Sequence, residues 1–170
     1  DLYVLDQVLE KMKTMQQANL YLVPHSLNLS RADFYACNIV EEICRRVDGA
    51  GIGREMITIE ITESIIGSDF EYMKGQVERF RELGFQVWMD DFGSGYSSIA
   101  TLNELTLDVL KLDADFFRGV EVRERGLLII SEVIDLAKKL NMKIVAEGIE
   151  SREQVDFLTE QECDLIQGYF

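Results

Sequence analysis

The sequence predicts an α/β fold, a TIM-like (β/α) barrel that is incomplete, with about six of eight strands in the chain. Three observations carry that expectation. Short β-rich runs alternate with amphipathic helical stretches, the pattern of parallel strands joined by crossover helices. Toward the strand ends, apolar residues keep to one parity and polar residues take the other. That suits a closed sheet with helices outside and a polar rim inside, whereas an open doubly wound sheet would be apolar on both faces. The polar residues at the strand ends, positions 28, 60, 90, 111, 147 and 167, are separated by 32, 30, 21, 36 and 20 residues, the size of βα units.

The chain opens within a helix, where Leu2, Leu5, Val8, Leu9, Met12 and Met15 repeat at helical spacing. A first strand is expected over Leu20–Leu29, with Ser26, Asn28 and Ser30 on one parity, and a helix around Phe34–Val47. In the second strand, Met56–Thr62, three isoleucines oppose Thr58, Glu60 and Thr62. The next helix, Phe70–Leu83, has a capping-box signal in Ser68 and Glu71 and a stop at Gly84. The third strand is Gln86–Asp91, followed by a helix over Ser97–Leu105. The fourth, Val109–Asp113, sets Leu110 and Leu112 against Lys111 and Asp113 and leads into a helix over Val122–Leu140. The fifth, Lys143–Glu147, precedes a helix over Arg152–Thr159 with a capping box at Ser151 and Gln154, and the last strand is Leu165–Phe170. A full barrel takes about 250 residues. The expectation is therefore one domain over residues 1–170, truncated at its N-terminus.

Composition narrows the function. A net charge of −14 disfavours a nucleic-acid duplex, which needs a basic surface to displace counterions. It permits a small phosphorylated ligand if metal cations stand between carboxylates and phosphate. Cys37, Cys44 and Cys163 have no metal or redox spacing and read as reduced, buried thiols. No apolar run reaches the length of a membrane span, so no direct membrane contact by this segment and a cytoplasmic location are expected, and a membrane-anchored parent protein would leave the segment looking the same.

Asn28, Glu60, Asp90 and Asp91 are hard oxygen ligands suited to Mg²⁺ or Mn²⁺. An isolated Asp-Asp pair would read as a solvated turn. Oxygen donors on successive strand ends, with Lys111 beside them, favour a metal site. Trp88 shares the parity of Asp90 and is expected to fill the barrel interior, while His25 takes the opposite parity.

The segment Asp90-Asp91-Phe92-Gly93-Ser94-Gly95-Tyr96-Ser97-Ser98 resembles the D-D-F-G-x-G-Y-S-S loop of EAL-type cyclic-di-GMP phosphodiesterases. Five further motifs of that family follow the same order: Ser26-Leu27-Asn28-Leu29-Ser30, Glu60-Ile61-Thr62-Glu63-Ser64, Leu110-Lys111-Leu112-Asp113, Ala146-Glu147-Gly148-Ile149-Glu150 and Gln167-Gly168-Tyr169. The resemblance implies hydrolysis of one phosphodiester bond of cyclic di-GMP to linear pGpG, with two divalent cations. Asn28, Glu60 and Asp90 would hold one cation, and Asp90, Asp91 and Glu147 would hold or flank the second. Lys111 would orient the attacking water and offset charge, and Glu147 would be general base or metal ligand. Glu63 would steady the loop after Asp91. Asp113, Glu150, Gln167 and Gly168 would lie against substrate or support the ligands.

The family's Glu-Ala-Leu tripeptide does not occur in the chain and is expected upstream. The resemblance further implies fusion to a diguanylate-cyclase-like or sensor domain. It also implies a homodimer through the helix after Tyr96-Ser97-Ser98, with Ile99 and Leu102 as the apolar stripe. A catalytically inactive cyclic-di-GMP receptor or protein-interaction module is the alternative function, and an enolase-type acidic barrel a third.

Overall fold

Leu27, Leu29, Ile57, Ile59, Ile61, Val87, Met89, Leu110, Leu112, Ile144 and Ala146, the apolar parity of five successive strands, are each at most 4% exposed. Burying that parity is the main apolar gain of the fold, at about 25 cal/mol per Å² removed from water. The computed structural model describes residues 1–66, 69–93, 99–117 and 124–170; for Ile99, Ala100 and Glu124 it describes the backbone alone.

Six strands result: β1 (His25–Leu29), β2 (Ile57–Thr62), β3 (Gln86–Phe92), β4 (Val109–Leu112), β5 (Lys143–Ile149) and β6 (Leu165–Gly168). Each pairs in parallel with its sequence neighbour, in the order β1-β2-β3-β4-β5-β6, and they form a half-barrel. The helices are α1 (Leu2–Gln17), α2 (Arg31–Ala36), α3 (Ile39–Ala50), α4 (Glu63–Ile66), α5 (Phe70–Glu82), α6 (Ile99–Glu104), α7 (Glu124–Lys139) and α8 (Arg152–Glu160). Of these, α5 packs on β3, α7 and α8 on β5, and α1 on β1 and α3.

Two aspartates pin the end of the sheet remote from the polar rim. Asp108 Oδ2 accepts the Val87 N–H at 2.8 Å while its carboxylate pairs with Arg81 at 3.1 Å. Asp164 Oδ2 accepts the Ile144 N–H at 2.9 Å. Each supplies a partner to a backbone donor that would otherwise go unmet.

Several expected boundaries change. The first strand begins at His25 rather than Leu20: Pro24 has no N–H to give a ladder, and Leu20, Tyr21 and Val23 are exposed. The helix expected over Phe34–Val47 is two, because Cys37 is extended and Asn38 caps α3 by accepting the Glu41 N–H. Cys37, in that break, is exposed; Cys44 on α3 and Cys163 after α8 are partly buried, so the three thiols are not all core residues. Ser68 lies outside the described residues, and Asp69 is the N-cap of α5. The Ser151–Gln154 capping box is present at α8. Tyr96, Ser97 and Ser98 lie outside the described residues. Leu102, expected in a stripe facing a second copy, is 2% exposed and packs in the core. Among the described residues no helix is long and apolar enough to cross a membrane.

Candidate active site

Two irregularities in the sheet build the site. Across β3 and β4, Met89 pairs with Leu110 and Phe92 with Leu112, so Asp90 and Asp91 together stand opposite the single Lys111. Across β5 and β6, Ala146 pairs with Ile166 and Ile149 with Gly168, so Glu147 and Gly148 stand opposite the single Gln167. Both are β-bulges, and in both the second residue is left-handed: Asp91 at φ 56° and Gly148 at φ 67°. In a regular strand Asp91 would point away from Asp90. The bulge turns it back, and its N–H donates to Asp90 Oδ1 at 3.0 Å. As a result Asp90, Asp91 and Glu147 each offer an oxygen within 4.8 Å of the others.

Lys111, on the strand between the bulges, ties the carboxylates together. Its Nζ lies 2.8 Å from Asp90 Oδ1, 3.0 Å from Glu147 Oε1 and 3.4 Å from Glu60 Oε2. Burial opposes its charge, but the hydrogen bonds to Asp90 and Glu147 and the field of Glu60 outweigh it and hold the ammonium well above the usual lysine range. Asp91 shows the other side of this balance. Burial, and then the charges of Asp90 and Asp113, push its carboxyl up despite Lys111. Four carboxylates (Glu60, Asp90, Asp91 and Glu147) thus share one ammonium. Excess negative charge on partly buried oxygen donors suits divalent cations.

The other expected residues fall into two groups. Asn28 is exposed and stands beside Glu60 in the β1–β2 register. Glu63 is 8% exposed and its Oε2 accepts the Gly93 N–H at 3.2 Å, so it touches the backbone that follows the bulge. Gln167 joins Ser26, Glu60, Trp88, Lys111, Val145, Leu165 and Ile166 around a cavity of about 560 Å³ on the inner face. Trp88 is therefore a wall of that cavity. The remaining residues are held elsewhere. Asp113 Oδ1 accepts the Asp115 N–H at 2.6 Å, capping the 3₁₀ turn Ala114–Phe116. Glu150 is exposed, and its backbone N–H donates to Gln154. Gly168 lies so close to β5 that a Cβ there would come 1.9 Å from the Ile149 carbonyl oxygen. His25 is clear of the cluster, its Nδ1 2.9 Å from the Val23 carbonyl oxygen.

Sequence reading missed the bulges and the turn Ala114–Phe116 that packs against both. The available signal was the glycine at each irregularity, Gly93 and Gly148.

Comparisons with known proteins agree with this architecture. The family model described as EAL domain matches residues 1–170. The cyclic di-GMP phosphodiesterase NbdA of Pseudomonas aeruginosa is 33% identical over 99% of this chain, which spans 22% of that protein. The PaMucR phosphodiesterase, solved as a c-di-GMP complex, superposes at a TM-score of 0.86 with 29% identity, covering 98% of this chain and 68% of that one. Klebsiella pneumoniae BlrP1, solved as a manganese/cy-diGMP complex, superposes at 0.84 with 25% identity, covering 97% of this chain and 42% of that one.

Proposed function

This chain belongs to the EAL domain family, and from that premise we propose that it hydrolyses one phosphodiester bond of cyclic di-GMP, giving linear pGpG, with divalent cations at the carboxylate cluster. The observation that carries the reading is the convergence of Asp90, Asp91 and Glu147 within 4.8 Å beside Lys111. The manganese complex of BlrP1 and the phosphodiesterase activity named for NbdA support it.

Asn28, Glu60, Asp90, Asp91 and Glu147 would hold the cations, Mg²⁺ or Mn²⁺ and two in number. Bound there, they acidify water and polarise phosphoryl oxygens. The chain's own residues do the rest. The inner-face cavity, with Trp88 as an apolar wall and the Gln167 amide at its rim, takes the dinucleotide. Lys111, anchored on two carboxylates, orients the attacking water and offsets charge developing on the phosphate. Glu147, partly exposed and 3.0 Å from that ammonium, accepts the water's proton. Glu63 holds the Gly93 backbone and so the Asp90–Asp91 bulge. Asp113, Glu150 and Gly168 support the surrounding backbone rather than substrate. The domain acts within a longer signalling protein, joined to a sensor or diguanylate-cyclase-like domain. The small share of NbdA that the chain spans supports this.

Chromatography of the products tests the reading in the full protein. Wild type with Mn²⁺ converts cyclic di-GMP to pGpG, while Asp90→Ala, Glu60→Ala or excess chelator abolishes turnover. Unchanged turnover in either variant or in chelator overturns the site. Tight binding of the dinucleotide without turnover by wild type replaces the enzyme with a receptor.

A further inference from the structure

The two ligand-bearing bulges belong to different strands, yet one short element touches both. The 3₁₀ turn Ala114–Phe116 leaves the end of β4, the strand that carries Lys111. On one side the Phe116 ring sits against Gly93 so closely that a Cβ there would lie 1.6 Å from Phe116 Cε2, and the Phe92 and Phe116 ring centroids are 6.0 Å apart. On the other side a Cβ at Gly148 would lie 2.3 Å from Ala114 Cβ. The turn is itself fixed: Asp113 Oδ1 accepts the Asp115 N–H at 2.6 Å, the Asp113 N–H donates to the Phe92 carbonyl at 3.3 Å, and the Phe116 N–H donates to the Asp113 carbonyl at 2.9 Å.

We infer that the turn Ala114–Phe116 is a positioning element that sets the spacing of the Asp90–Asp91 bulge and the Glu147–Gly148 bulge through its contacts with Gly93 and Gly148. A pair of carboxylates on one strand and a third on the next strand but one have no direct covalent or hydrogen-bonded link that fixes their separation. Lys111 joins them electrostatically, on a long flexible stem. The turn joins them by packing, which is stiffer. It is also continuous with β4, so the ammonium and the wedge are set by one backbone. Glycine at 93 and 148 lets the turn approach both bulges more closely than any side chain would permit. The consequence for cation binding rests on the cation site proposed above. The spacing itself does not.

Two readouts in the full protein separate these claims: amide hydrogen exchange at Gly93 and Gly148 without metal, and calorimetric titration with Mn²⁺. Phe116→Ala is expected to speed exchange at Gly93 and Gly148 while leaving the Leu110 amide of β4 unchanged, and to weaken Mn²⁺ binding by at least about tenfold, as loss of a ligand-supporting contact does. Ala114→Gly, which removes only the contact to Gly148, is expected to speed exchange at Gly148 and leave Gly93 alone. If Phe116→Ala unfolds the protein, Phe116→Leu and Ala114→Gly decide by the same criteria. Exchange at both glycines within about twofold of wild type, or a rise no greater than that at Leu110, overturns the inference even if wild type binds Mn²⁺. The expected exchange pattern in a wild type that takes up no Mn²⁺ overturns the cation site and leaves the turn's role standing.

Discussion

At the scale of the residue, Lys111 is where structure and chemistry meet. Among the described residues its ammonium is the one positive charge within salt-bridge reach of Glu60, Asp90 and Glu147, at distances of 2.8 to 3.4 Å, and it makes them tolerable together. Lys111→Met is therefore expected to destabilise the metal-free protein by about 3 kcal/mol, since it strands partly buried carboxylates without a partner. Added Mn²⁺ should recover much of that loss, and urea unfolding with and without Mn²⁺ checks both halves. Gly148→Ala is a steric counterpart. The residue sits at φ 67° with Ala114 Cβ in the way, so the substitution should cost at least ~1 kcal/mol from the left-handed backbone alone. The same unfolding experiment measures it.

At the scale of the element, the strands were readable because apolar and polar residues alternate toward their ends, most strictly in β2. Ile57, Ile59 and Ile61 against Thr58, Glu60 and Thr62 leave one arrangement that puts every apolar side chain of β2 on a single face in the core, with Thr58 and Glu60 buried on the opposite, inner face at 3% and 5% exposure. The inward direction of Lys111 followed from the same rule. What the rule could not reach was any place where the period of two breaks. Asp91 was legible as a carboxylate beside Asp90, but not as a left-handed residue whose bulge turns it toward Glu147. The break between α2 and α3 was hidden for a related reason. Helical periodicity runs through Cys37 and Asn38, and only the competing cap made by Asn38 stops it. Caps announced by two residues were more visible. Ser151 Oγ accepts the Gln154 N–H at 3.2 Å and Gln154 Oε1 accepts the Ser151 N–H at 3.1 Å, as their spacing predicts. Ser151→Ala should lower stability by about 1 kcal/mol through α8, read as a shift in the thermal midpoint.

At the scale of the whole molecule, acidity governs how the domain responds to its surroundings. The chain carries a net charge of −14, and much of its surface pairing sets arginines against carboxylates. Glu42 is the clearest case. Its hydrogen bonds to Arg45 and Arg46 lower its carboxyl from an ordinary 4.5 to about 2, and Arg46 also reaches Asp6, linking α3 to α1. Because the folded value is the lower one, this contribution is complete above pH 4.5 and is lost as pH falls toward 2. The stability difference between wild type and Glu42→Gln should accordingly shrink over that window, in urea midpoints taken at successive pH values. The inner face carries the same acidity to a functional end, since four carboxylates around one ammonium leave charge for cations to neutralise.

Calorimetric titration of Mn²⁺ into the full protein, beside its Asp90→Ala and Asp91→Ala variants, tests that claim most directly. Saturable binding by wild type, weakened at least about a hundredfold in each variant, is the predicted result, a larger loss than removing one supporting contact commonly brings. Equal Mn²⁺ affinity in wild type and both variants would contradict it.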